Sequence, residues 1–140
     1  MAFKAAKGKW GLRWYPKAAS TALSIDSLVQ FDGNGEIIAS TTSSLDNIGI
    51  LRKAVVSTDS DYASLTLVPV EVPLSPQCEV EFDVTTGTLT AGDVGLWIDL
   101  ASATAADQSA SAHDIILVTK CISTTKGLGI LNLAVNTPAV

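Results

Sequence analysis

A chain of 140 residues that is 47% apolar and 16% charged is long enough to bury about 70% of its unfolded surface, and its composition excludes a disordered chain. Net charge is −5, unevenly placed: residues 1–17 hold Lys4, Lys7, Lys9, Arg13 and Lys17 and no acid, while the remainder holds four bases and fourteen acids. No run approaches the ~18 apolar residues that span a bilayer, and MAFKAAKGKW lacks the apolar core of a secretory signal, so the chain is expected to be made in a cytoplasm and to have no membrane partner.

Residues 1–17 read as an extended arm. Phe3, Trp10, Trp14 and Tyr15 lie among its bases, and flexible tails rarely carry tryptophan. Trp, Tyr and Arg are enriched at binding hot spots. The arm is therefore expected to dock, on its own domain, a sister subunit or another protein, with an acidic protein surface favoured. A solvated tail is the plain alternative. Rings interleaved with bases also suit single-stranded nucleic acid, but the acidic body has no second basic patch and would repel it. Pro16 and the AASTA segment read as a linker. The predicted organisation is an arm and linker over 1–22 and one β domain over 23–140.

Residues 23–40 predict a β-hairpin, because Asp32-Gly33-Asn34-Gly35 supplies residues that tolerate positive φ. Leu45–Pro73 predicts a second one. Ile48, Ile50, Leu51, Val55 and Val56 lead in, a Ser/Asp cluster at 57–61 turns, and Leu65–Val72 returns. Leu65 and Leu67 share a parity that Val68, Val70 and Val72 do not. With Pro69 at the change, this predicts a bend or a sheet edge at 67–69.

Residues 78–84, CEVEFDV, alternate strictly, with Cys78, Val80, Phe82 and Val84 on one face and Glu79, Glu81 and Asp83 on the other. Leu96, Ile98 and Leu100 alternate with Trp97 and Asp99, which places Trp97 opposite the leucines. Residues 101–114 read as a long small-residue loop, with at most one helical turn. The unbroken run 115–122, IILVTKCI, predicts a strand buried on both faces or packed at an interface. A last strand is expected at 126–131, and AVNTPAV trails off. Ile48-Gly49-Ile50-Leu51 and Leu128-Gly129-Ile130-Leu131 echo each other, each with a glycine that permits close backbone approach.

Little in the chain points to chemistry. There is no Walker loop, GxGxxG, HExxH or zinc spacing. His113, the only histidine, stands beside Asp114 like a fragment of a triad, but no nucleophile motif accompanies it. The acid face of 79–83 fits a metal or a basic partner less well than a charged face that discourages aggregation. Cys78 and Cys121 sit in apolar runs and read as small buried hydrophobes, with a bridge between them left open. No catalytic, cofactor or metal residue is assigned, and the chain is read as a non-enzyme.

Residues 23–134 resemble the all-β decoration proteins (cement or head-stabilising proteins) of tailed bacteriophages. The resemblance is carried by NIGILRKAVVSTDSDYASLTLVPVEVP at 47–73, AGDVGLWIDL at 91–100 and VTKCISTTKGLGIL at 118–131. It implies a small β-barrel or β-sandwich, β-tulip-like, to which this chain adds its extended N-terminal arm, which is not a general feature of the family. It implies a virion structural protein, commonly a homotrimer, that binds the major capsid protein on the capsid surface and steadies capsomer contacts. On that reading Phe3, Lys7, Lys9, Trp10, Arg13, Trp14 and Tyr15 are the partner-binding residues, and no nucleic acid is contacted directly. The alternatives are another virion β domain (tail, head-completion or receptor-binding) and a carbohydrate-binding β module with Trp97 as its ring.

Overall fold

Strand periodicity dominates the chain, and the computed structural model, which describes residues 3–44 and 47–133, is all-β. The strands are β1 Phe3–Lys7, β2 Trp10–Pro16, β3 Leu28–Phe31, β4 Ile37–Ala39, β5 Asn47–Leu51, β6 Leu67–Pro73, β7 Glu79–Thr86, β8 Trp97–Ser102, β9 Ala105–Asp107, β10 Ile116–Ser123 and β11 Lys126–Leu131. They form two sheets.

The first sheet is a closed barrel. β7, β11, β10, β8 and β9 pair in that order, and β9 returns to β7 in parallel, with Val84 opposite Ala106. Closure removes the free edges that an open sheet exposes. β1 lies on the same side of β7 as β9 but on its first half, with Phe3 opposite Phe82. The alternation of 78–84 is realised as expected: Cys78, Val80, Phe82 and Val84 point inward and the acids outward. Phe3, Val80, Phe82, Leu89, Ile98, Leu100, Ile116 and Val118 fill the barrel.

The second sheet is antiparallel, in the order β2-β6-β5-β3-β4. One face sends Leu28 and Ile50 into the barrel core. The other face, with Val29, Ile37, Leu51, Val68, Val70 and Val72, builds its own core, roofed by Leu23, Val55 and Tyr62. The two cores fuse the sheets into one unit. The DGNG hairpin forms as read: the Asp32 carboxylate accepts the N–H groups of Asn34 and Glu36 at 2.8 and 3.2 Å, and Gly33 and Gly35 have positive φ. The two echoed glycines share a role. A Cβ on Gly49 would sit 2.2 Å from the Glu71 carbonyl oxygen, and one on Gly129 2.6 Å from Ile116 Cγ2, so each lets a neighbouring strand come close.

The structure corrects several expectations. The segment 1–17 is extended, but as strands of the domain's own sheets, so the division into an arm over 1–22 and a domain over 23–140 does not describe the fold. Segment 101–114 holds β9, the strand that closes the barrel; three small residues carry too short a period to register. No bend occurs at 67–69, and β6 pairs with β2 over seven residues without a register shift; the alternative expectation, a sheet edge, is met in part, because β5 pairs with β6 only at Val70 and Glu71. Leu65 lies in the preceding turn, so the parity break falls outside the strand. Pro69 sits where β5 leaves the ladder, its carbonyl accepting the Arg52 N–H at 3.0 Å, and its missing donor costs no bond there. The run 115–122 is buried only in its first half, at Ile115, Ile116 and Val118; Leu117 faces outward across from Trp97, and Lys120 and Ile122 are exposed. The tail AVNTPAV from Ala134, and Leu45 and Asp46 at the start of the second hairpin, lie outside the described residues. No helix among the described residues is long and apolar enough to cross a membrane.

Candidate interaction surface

The sequence placed its site residues together on one arm, and the two N-terminal strands divide them. Phe3 is completely buried, locked between β7 and the barrel interior, so it is a core residue and not a partner contact. Lys4 and Lys7 stand directly across from Glu81 and Glu79. On the other flank of β7, Lys126 bonds Glu81 at 3.0 Å and lies 3.5 Å from Asp83. The acidic surface favoured as the arm's neighbour thus exists within the chain. The hydrogen bond to Glu81, then the charges of Asp83 and Glu81, raise the Lys126 pKa above its ordinary value.

β2 keeps what β1 loses. Trp10 is half-buried against the barrel core, and its indole N–H donates to the Lys7 carbonyl at 3.0 Å. Tyr15 packs edge-on to Phe31, ring centres 5.3 Å apart, over the second core. Between them Leu12 and Trp14 are each 58% exposed, and Leu67, across from Pro16 on β6, is 54% exposed. These three share one sheet face. Arg13, on the opposite parity of the same strand, and Lys9, just before it, are also exposed. The result is a short apolar strip on one face and two exposed cations on the other. Large exposed side chains of this kind usually mark contact surfaces when they are contiguous.

Lys17 ends this surface. Its side chain is fully buried and its ammonium donates to the carbonyls of Ala18, Tyr62 and Ser64 at 3.2, 2.5 and 2.9 Å, 5.6 Å from the Tyr62 ring centre. The last base of the leader is therefore a structural pin that holds the turn at 61–65. Only the composition of the leader was legible in sequence. Lys17 and Arg13 look alike there, and nothing local marks one as buried.

The remaining polar clusters hold loops. The His113 ring lies 3.3 Å from buried Asp99 rather than against Asp114, and Asp99 also accepts the backbone N–H groups of His113 and Asp114 at 2.9 and 3.0 Å. Asp93, at the end of a short 3-10 turn Ala91–Asp93, accepts the Thr90 N–H at 2.8 Å and the Gln108 amide at 3.1 Å. These bonds, the Thr90 backbone bond foremost, hold its carboxyl below the usual range against the opposing effect of burial. Gln108 also accepts the Thr88 N–H, so one cluster ties the turn to the segment after β9. Among the described residues no group of three or more His, Cys, Asp or Glu side chains gathers as a metal site. Cys78 and Cys121 are free thiols, the first buried and the second half-buried against the barrel core. Trp97 is half-buried on the barrel wall. Compared with known protein families and with curated proteins, the chain has no match.

Proposed function

We propose that this protein is a non-catalytic structural component of a phage particle, which binds the outer surface of the assembled capsid and stabilises the contacts between capsomers. The observation that carries this reading is the strip Leu12, Trp14 and Leu67 with Lys9 and Arg13 on the strand's other face. The strip offers apolar area to the major capsid protein, on a rigid strand that loses little entropy on docking, and the cations on the other face add positive charge at its margin. The all-β architecture and the segments 47–73, 91–100 and 118–131 that resemble decoration proteins support the same reading. The mechanism is linkage: a protein that binds only the assembled shell stabilises that shell by mass action. Trp14 is the central contact and Arg13 its charged companion. Phe3, Trp10 and Tyr15 act from behind by fixing the strand.

The test is co-sedimentation of the purified protein with capsids that lack it, followed by imaging. Wild-type protein is expected to cover the shell in many copies. Trp14→Ala and Arg13→Glu together are expected to lower affinity at least roughly tenfold, as hot-spot truncations do, with far-UV circular dichroism unchanged. Full binding by the double variant would refute the strip as the contact.

A further inference from the structure

The outer edge of β2 carries an observation independent of its exposed face. Leu74 N–H donates to the Lys9 carbonyl and Lys17 N–H to the Thr66 carbonyl, both at 2.9 Å. Backbone groups in an antiparallel strand alternate sides. Lys9, Gly11, Arg13, Tyr15 and Lys17 therefore address β6, while Trp10, Leu12 and Trp14 address the far side. The same parity appears at Ala18, whose N–H turns outward to the Ile37 carbonyl at 3.0 Å. There the two edges of the second sheet meet in a parallel bridge between Lys17 and Ile37. Moving back from that seam the edges part. No strand among the described residues pairs with the outward N–H and C=O groups of Trp10, Leu12 and Trp14.

We propose that this edge pairs with the same edge of a second copy of the chain, antiparallel about a two-fold axis through Leu12. An isologous contact must be self-complementary, and the sequence of β2 is so in one register. With Leu12 opposite Leu12 of the second copy, Trp10 falls opposite Trp14, and all three outward residues exchange both backbone bonds. Arg13 then falls opposite Gly11, which has no side chain to obstruct or repel it, and Lys9 falls opposite Tyr15. Moving the two-fold axis by one residue in one sense sets Arg13 opposite Arg13 and brings Pro16, which has no N–H, opposite Trp10. Shifting in the other sense sets Lys9 opposite Arg13. Like charges directly across a strand pair are destabilising. The favoured register is thus the one with the most backbone bonds and no like-charge pair. It sets Trp14 and Leu12, the two most exposed apolar side chains of the strand, beside their copies on one continuous sheet face. The contact is two-fold and so differs from the threefold assembly that the resemblance implies. It uses the edge of β2, not the face offered to a shell.

The mass of the intact chain in solution, measured by light scattering over a dilution series, tests this. Twice the chain mass is expected, falling to the single-chain mass on dilution. Leu12→Pro removes an outward N–H and an exposed side chain but no bond to β6, so circular dichroism should be unchanged while the dimer is lost. Gly11→Glu and Gly11→Arg both place a side chain near the movable tip of Leu74, so their difference reads charge alone. The acid, opposite Arg13, should tighten pairing, and the base should weaken it by roughly tenfold, because symmetry counts the pair twice. A wild-type monomer at every concentration, a trimer, or a dimer indifferent to all three substitutions would overturn the proposal.

Discussion

β1 and β2 are consecutive, both extended, and both built from aromatic and basic residues, yet they meet opposite fates. β1 is absorbed: Phe3 fills the barrel and Lys4 and Lys7 face the acids of β7. β2 is only half absorbed, with one side zipped to β6 and Leu12, Trp14 and Arg13 left outside. The difference lies in the neighbours, not in the strands. β7 offers β1 an inward ring and an outward row of carboxylates, whereas β6 sets the uncharged, buried Pro69 and Pro73 across from Trp14 and Trp10. A basic aromatic segment is therefore no guide to a binding arm until its partner strand is known.

The sharpest way to break this contrast is to truncate one ring in each strand. Phe3→Ala should cost about 3–5 kcal/mol, the usual range for emptying a phenylalanine site in a core. Trp14→Ala should change stability by no more than about 0.5 kcal/mol, as exposed substitutions do. Urea unfolding of the two variants measures both. Equal losses would mean that β2 is as deeply set as β1 and would remove the case for an open strip.

That pair also marks how far the sequence could be read. The strict alternation of 78–84 identified β7, and Asp32-Gly33-Asn34-Gly35 identified the β3–β4 turn, because each signal is local and its cause is backbone chemistry. β9 was not legible. Ala105, Ala106 and Asp107 make a strand because β7 and β8 stand ready on either side, and that is a tertiary cause. The leader showed its character but not its placement, since Phe3 and Trp14 differ in burial only through what lies opposite them. The outward parity of Trp10, Leu12 and Trp14 could be found only from the hydrogen bonds of Lys9 and Lys17.

A smaller effect tests where the two strands' shared leader is pinned. Lys17→Met keeps the length of the side chain but removes the donor from the carbonyls of Ala18, Tyr62 and Ser64. Buried acceptors left unpaired cost about 1–3 kcal/mol, and the loss should show as greater exposure of the 61–65 turn in hydrogen exchange. Protection that stays at the wild-type level would mean that the apolar roof of Tyr62 and Val55 holds the turn without the ammonium.

Acid separates the two sheets. Asp93 belongs to the barrel side, and its folded pKa lies below the unfolded value of 3.8. Its contribution is therefore full above about pH 4 to 5 and is lost as pH falls through the lower folded pKa. Asp93→Asn should reduce stability at pH 7, while the gap between variant and wild type should close near pH 2. The Lys17 pin has only carbonyl partners and should give a gap that does not depend on acid. Denaturation of both variants at the two pH values reads the contrast directly.

The smallest effect concerns the row of charge that β1 shares with β11. Lys126 is exposed, so its pairs with Glu81 and Asp83 are screened by water and salt. Its folded pKa is raised by those acids, so its contribution is present at neutral pH and disappears as pH rises through the range above the unfolded lysine value. Lys126→Met should produce a slight fall in melting temperature at pH 7 and low salt that vanishes in high salt. The same substitution at Lys4 or Lys7, which face Glu81 and Glu79 from the opposite side of β7, should give a shift of the same sign and salt dependence. If Lys126 alone responds, the leader's bases are not held by this row.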